Sequence, residues 1–273
     1  MNQKLILGID LGGTKLAYKL VSGTGVLASA KVKTHVNFEK QLNTVYESLQ
    51  TEFGPVDVVS IGVPGPVANG IMGPSFPLGT LKNIDVSKFF SNCSKIIVRN
   101  DMQMAAYAEL INGDGRNYRN FCLVSMSTGI GVAVVVNANV LDIRCEFGHQ
   151  IIMNDTEQNW SCLGHQNCWA SVCSGTAIKH HGFSSKHYPF IKQVNAIAFA
   201  NIVCAYDPQV IFVMGGVGTN LFSEIVPKKN DIADKINLRP LPLIKISSFS
   251  QEIGVTGAIA LANVMEKAGD QRQ

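Results

Sequence analysis

The sequence predicts an α/β protein built as two lobes, and three observations carry that prediction. Apolar strand segments alternate with helix-like segments along the 273 residues. Strand segments run into glycine-bearing turns three times, at 5–17, 121–136 and 210–218. Asn112-Gly113-Asp114-Gly115 is the strongest break, and the logic of the first half restarts after it. The expected lobes are 1–115 and 116–273, with a cleft between them.

Segments 4–10, 15–22 and 25–33 read as a strand meander with glycine turns. Residues 37–52 form a helix candidate, and Pro55 precedes a strand over 56–62. Segment 63–92 is rich in Gly and Pro and reads as irregular. A short strand at 96–98 leads into a helix over 102–111, where Ala, Met, Glu and Leu favour that state. After the break come strands at 120–126 and 131–137, then a long helix at 190–206. That helix repeats apolar residues at Ile191, Val194, Ile197, Ala198, Ile202 and Ala205, and stops at Asp207-Pro208. A strand at 209–214, a helix near 219–228 and a last helix at 254–267 complete the chain.

Composition narrows the function classes. A 46% hydrophobic and 16% charged chain suits a buried globular core. The net charge of +3 is small and dispersed, which argues against a nucleic-acid surface. Apolar runs break well short of a membrane span, and the first strand begins too early for a leader segment. Seven cysteines without a framework point to reduced thiols in the cytoplasm, with Cys122, Cys173 and Cys204 as small core residues.

The residues with chemistry fall in four groups. At 9–15, an apolar run ends in Asp10-Leu11-Gly12-Gly13-Thr14-Lys15. Adjacent glycines bring amides close to an anion, Thr14 and Lys15 add donors, and Asp10 is a hard oxygen ligand suited to Mg²⁺. An ordinary Gly-Gly hairpin has the same pattern. Thr128-Gly129 and Gly215-Gly216 repeat the strand-to-glycine turn, which suggests a nucleotide. Neither a Walker A pattern nor a full G-x-G-x-x-G fingerprint occurs. Asn100-Asp101 stands where a strand meets a helix, a place for a catalytic carboxylate or for a helix cap. Glu146-Phe147-Gly148-His149 can converge on one small polar ligand. Cys162, His165 and Cys168, with His149, offer four ligands for tetrahedral Zn²⁺, although free thiols in a loop fit the same spacing.

Together these residues resemble the ROK family of sugar kinases and repressors, within the actin/Hsp70/hexokinase superfamily. The matching stretches occur in the family's order: 9–15, Ile61-Gly62-Val63-Pro64-Gly65-Pro66-Val67, Asn100-Asp101 with 105–109, and 146–149. Ser174-Gly175-Thr176-Ala177-Ile178 and Asp207-Pro208 leading to Gly215-Gly216 fit as well. The resemblance implies a two-lobed actin-like (ribonuclease H-like) ATPase fold. It implies an N-terminal lobe for sugar and phosphate, a C-terminal lobe for nucleotide, and a last helix packing back on the first lobe. Asp101 would be the general base on a sugar 6-hydroxyl, with Gly65, Asn100, Glu146 and His149 around the sugar. Gly12, Gly13, Thr14, Lys15, Thr128, Gly129, Gly215 and Gly216 would face ATP, and Asp10 would help place Mg²⁺.

Four departures bear on the sugar. Aligning Gly164 and Cys168 with the family's zinc loop puts its first two cysteines on Ser161 and Leu163, so Cys162 lies one place off. That slip tips the expectation toward a zinc-free loop with His149 oriented by packing. The acid ending that motif falls on Ala170, the usual Pro-Asn segment is not evident at 73–77, and Ser127 replaces a glycine of the second phosphate loop. Some sialic-acid-pathway members lack the zinc motif, which puts N-acetylmannosamine beside glucose as substrate. The expectation is a cytoplasmic ATP- and Mg²⁺-dependent sugar 6-kinase, as a homodimer by family precedent, binding neither nucleic acid nor membrane. The rival expectations are a regulator or a sugar- or nucleotide-binding protein without turnover.

Overall fold

Two five-stranded sheets with the same strand order organise the computed structural model, which describes residues 4–153, 160–162, 165–237, 240–249 and 252–270. Contacts divide the chain into two units, Met1–Asn112 with Gln251–Gln273, and Gly113–Ser250.

In the first unit, β1 (Leu5–Leu11), β2 (Lys15–Ser22) and β3 (Gly25–Lys33) form an antiparallel meander. After α1 (Phe38–Phe53), β4 (Val58–Val63) returns parallel to β1. The alternation of β1 sets the layers. Leu7, Ile9 and Leu11 pack with Leu42, Tyr46 and Leu49 of α1, while Ile6 belongs to a core on the opposite face. Segment 63–92, expected to be irregular, holds a small sheet of β5 (Val67–Ala68), β6 (Ile71–Met72) and β7 (Ile84–Asp85). Two-residue strands leave no readable period, which hid them. β8 (Lys95–Asn100) then runs parallel to β4 and passes directly into α2 (Asp101–Asn112).

The second unit repeats the plan. β9 (Phe121–Met126), β10 (Ile130–Val136) and β11 (Asn139–Val140) form the meander. A hairpin of β12 (Ser161–Cys162) and β13 (His165–Gln166) leads to α3 (Trp169–Cys173) and α4 (Gly175–His180). The long α5 (Tyr188–Tyr206) buries Ile191, Val194, Ala198 and Ile202 and ends at Asp207 in a left-handed conformation. β14 (Val210–Met214) enters parallel to β9. The single helix expected near 219–228 is instead two short ones, α6 (Gly216–Asn220) and α7 (Phe222–Ile225), with Leu221 off helical geometry between them. Pro227 cannot continue the second. α8 (Lys229–Ala233) and β15 (Leu243–Ile246), the latter beside β14, follow. Cys122 and Cys173 are buried as expected, but Cys204 is exposed on the outer side of α5, and all seven cysteines are free thiols.

The chain then returns to the first unit as α9 (Ile253–Asp270), which lies on β1 and α2. Glycines permit that approach: a Cβ on Gly257 would fall 1.6 Å from the Met104 carbonyl oxygen. Among the described residues no helix is long and apolar enough to cross a membrane.

Candidate active site

The shared plan puts the chemistry-bearing loops at equivalent places in the two units. In each, one loop is the tip of the first hairpin (11–15 and 126–130) and another follows the parallel strand beside it (after Val63 and after Met214). Open α/β sheets present ligand sites at the carboxyl ends of their strands.

In the first unit the hairpin tip is pinned by hydrogen bonds. Gly12 N–H donates to the Lys15 carbonyl at 2.9 Å, and Thr34 donates from its N–H to the Thr14 carbonyl and from its hydroxyl to the Gly12 carbonyl. These bonds turn the tip's carbonyls toward β3. The Gly13 and Thr14 amides find no hydrogen-bond acceptor among the described residues. The two glycines differ in role: a Cβ on Gly13 would sit 2.5 Å from the Pro77 carbonyl oxygen, so packing as well as anion access requires glycine there.

Asp10, at the end of β1, accepts no hydrogen bond among the described residues. Burial raises its carboxyl to about 6, opposed by the charge of Lys31. An enclosed carboxylate without donors is a poor resting place for a lone charge and a suitable anchor for a hydrated dication. Mg²⁺ therefore fits this position by the chemistry of the donor.

Asn100 and Asp101 divide the two roles that the sequence left open. The Asn100 side chain accepts from Met102 N–H at 2.9 Å, and Gln103 returns the bond by accepting from Asn100 N–H at 3.2 Å. Asn100 thus caps α2 through the second amide of the helix, and Gln103 at the third position bonds back to it. Its amide also donates to the Gly65 carbonyl at 3.0 Å, tying the loop after β4 to the start of the helix. Asp101 takes a second bond from Met102 N–H at 2.8 Å, which aligns its carboxylate at the helix N-terminus.

In the second unit, the Ser127 and Thr128 carbonyls accept from the Gly175 and Thr176 N–H groups at the start of α4, leaving Thr128 and Gly129 exposed. Gly215, in a left-handed conformation, backs onto Met126 of the same hairpin, and Gly216 opens α6. Glu146 and His149 flank a short turn seated on β10, where a Cβ on Gly148 would fall 2.0 Å from the Ile130 carbonyl oxygen. Glu146 is exposed as a residue, yet partial burial of its carboxyl raises that group above the ordinary range.

His149 Nδ1 lies 3.7 Å from Sγ of both Cys162 and Cys168. The three donor atoms all fall within 4.8 Å of one another. The edge of a tetrahedral zinc site with these ligands is roughly 3.5–3.8 Å. The one-residue slip that argued against zinc therefore does not turn the cysteines apart. The β12–β13 register puts His165 opposite Cys162, but the His165 side chain, like residues 163 and 164, lies outside the described residues. Burial and the adjacent Cys168 push the Cys162 thiol up to about 12, so it stays protonated unless a cation draws the proton off.

Sequence reading missed the supporting contacts: Thr34 locking the hairpin, Gln103 completing the cap, and Pro77 against Gly13. The Asn-x-x-Gln spacing at 100–103 was the one readable signal among them.

Comparison with known proteins agrees in extent with this layout. Residues 6–187 match the family described as ROK. The chain is similar to a glucokinase of Streptomyces coelicolor, 26% identical over 94% of this chain and 97% of that protein. It is similar to an N-acetylmannosamine kinase of Escherichia coli O6:H1, 26% identical over 78% of this chain and 84% of that protein. Its fold matches that of a ROK family glucokinase from Streptomyces griseus solved with glucose and AMPPNP. That match has a TM-score of 0.73 and 19% identity, over 94% of this chain and 98% of that one. The fold is the two-lobed actin-like ATPase fold.

Proposed function

The chain belongs to the ROK family, and from that premise we propose that it is an ATP- and Mg²⁺-dependent kinase acting on the 6-hydroxyl of a hexose or N-acetylhexosamine. Glucose and N-acetylmannosamine are the leading substrates, these being the sugars named by its relatives. The observation that carries the reading is the division of labour at the start of α2. Asn100 supplies the cap, so Asp101 is not needed for it and its carboxylate is held at a strand-to-helix corner.

In this reading Asp101 accepts the proton of the 6-hydroxyl as that oxygen attacks the γ-phosphorus, and ADP leaves. The Gly13 and Thr14 amides, Thr128, Gly129 and Lys15 hold phosphate oxygens, and Gly215-Gly216 border the nucleoside. Bound through Asp10, Mg²⁺ supplies charge neutralisation of the phosphates. Glu146, His149, Asn100 and Gly65 position the sugar. We further propose that His149, Cys162 and Cys168 hold Zn²⁺, which fixes the His149 ring and leaves its other nitrogen for a sugar hydroxyl. The seven free thiols support a reducing, cytoplasmic setting.

Sugar-dependent ADP release, measured across a panel of hexoses and N-acetylhexosamines, tests the reading. We expect one or two sugars to dominate. Folded protein that binds ATP yet turns over none of them would be a binding protein or regulator instead.

A further inference from the structure

Three lysines share one face of the β2–β3 ribbon next to the glycine tip. Lys15 stands directly opposite Lys33, and Lys31 stands opposite Ala17, two residues further from the turn. Residues two apart on a strand share a face, so Lys15, Lys31 and Lys33 project together. Asp10 pairs with Ala17 from the other side and occupies the same row as Lys31. All three lysines are exposed. Lys19, one row further on, is neutralised by Glu252 at 3.1 Å, whereas Lys15 and Lys33 have no ion pair among the described residues.

Like charges directly opposite one another destabilise a ladder. Lysines on an edge strand discourage pairing with other chains, which would account for Lys31 and Lys33 on β3. It does not account for Lys15, which sits on the inner strand β2 and repels Lys33. The second observation is the pair of unused amides at Gly13 and Thr14, on the turn that Lys15 closes. The Thr34 bonds to Gly12 and Thr14 fix the end of β3, and so Lys33, against that turn. Free amides and flanking ammonium groups together make an anion site. Rows two residues apart are separated by about 7 Å along the strands, more than a single phosphate occupies.

We propose that Lys31 and Lys33 extend the hairpin's phosphate site, and with Lys15 bind the outer part of a condensed phosphate chain. That chain is either the tail of a nucleoside triphosphate or an inorganic oligophosphate. The inference rests on the kinase reading only in taking the 11–15 hairpin as a phosphate site.

Calorimetry on the full chain with inorganic tripolyphosphate and, separately, ATP tests it. The Lys31→Gln/Lys33→Gln variant should bind tripolyphosphate at least about tenfold more weakly, with sugar binding and melting temperature held. Lys31→Arg/Lys33→Arg should restore it, and Lys186→Gln/Lys229→Gln, which removes two exposed charges from the other unit, should change nothing. A parallel loss for ATP assigns the ladder to the nucleotide tail. A loss confined to tripolyphosphate assigns it to an inorganic chain. Affinities within twofold of wild type for both probes, or wild-type protein that binds neither, overturn the proposal. Weakened tripolyphosphate binding in a protein that phosphorylates no sugar would leave the ladder standing and remove the kinase reading instead.

Discussion

The Asp10 carboxylate lies against the backbone of Gly254, so closely that a Cβ at position 254 would fall 2.4 Å from Asp10 Cγ. The first turn of α9 thus packs directly against the proposed magnesium ligand. Gly254→Ala should displace the carboxylate or the helix, at about 1–3 kcal/mol of stability through overpacking. It should also raise the Mg²⁺ concentration needed for half-maximal turnover and weaken Mn²⁺ binding measured without nucleotide. Stability loss with unchanged metal response would make the contact a packing detail alone.

The raised pKa of Asp10 has a sign that can be tested. The native group titrates at about 6 and the unfolded one at 3.8, so between these values the native state holds a proton the unfolded chain has lost. Stability from this group is therefore greatest below pH 4, falls as pH rises through 6, and stays lower above. Asp10→Asn removes the penalty. In metal-free protein the variant should be more stable than wild type at pH 7, by up to about 3 kcal/mol, with the difference closing near pH 4. Urea titrations in chelator at the two pH values decide it, and a variant that is less stable at pH 7 would contradict the assignment.

Asp101 and Asn100 should separate chemistry from capping. Asp101→Asn keeps an acceptor for Met102 N–H and loses the base, so turnover should fall by about 10²–10⁴-fold at nearly constant melting temperature. Asn100→Ala removes the cap and the tie to Gly65, and should cost about 1 kcal/mol or more of stability. The opposite pattern would return Asp101 to a structural role.

What was legible in the sequence was whatever had a period or a turn signature. The strands around Asp10, the α5 stripe and the Asp207-Pro208 stop all stood within two residues of their observed places. The two-residue strands of 67–85 and the split of α6 from α7 have no period to read. The candidate site residues stood out as types, because acids and glycines at strand ends can carry chemistry. Their supports did not: Pro77 meets Gly13 and Gly254 meets Asp10 across 64 and 244 residues of chain, distances over which single-sequence patterns hold no information. The zinc loop shows the same gap. A one-residue slip in spacing tipped the expectation away from zinc, yet the β12–β13 hairpin brings Cys162 back to Cys168 and His149.

That hairpin carries the last prediction. Without metal, the two thiols meet the His149 imidazole only in long contacts of 3.7 Å. Zn²⁺ held by His149, Cys162 and Cys168 would fix the ring near the proposed sugar position. Protein purified without chelator should contain about one zinc per chain by elemental analysis. Cys162→Ser and Cys168→Ser should each lose it, with a rise in sugar KM larger than the fall in kcat, because His149 positions substrate and does not take the proton. Chelation of the wild type should reproduce the KM change, and zinc should reverse it. Stoichiometric zinc that survives both cysteine substitutions would put the metal elsewhere, and zinc-free protein with full sugar affinity would leave the three side chains as packing around His149.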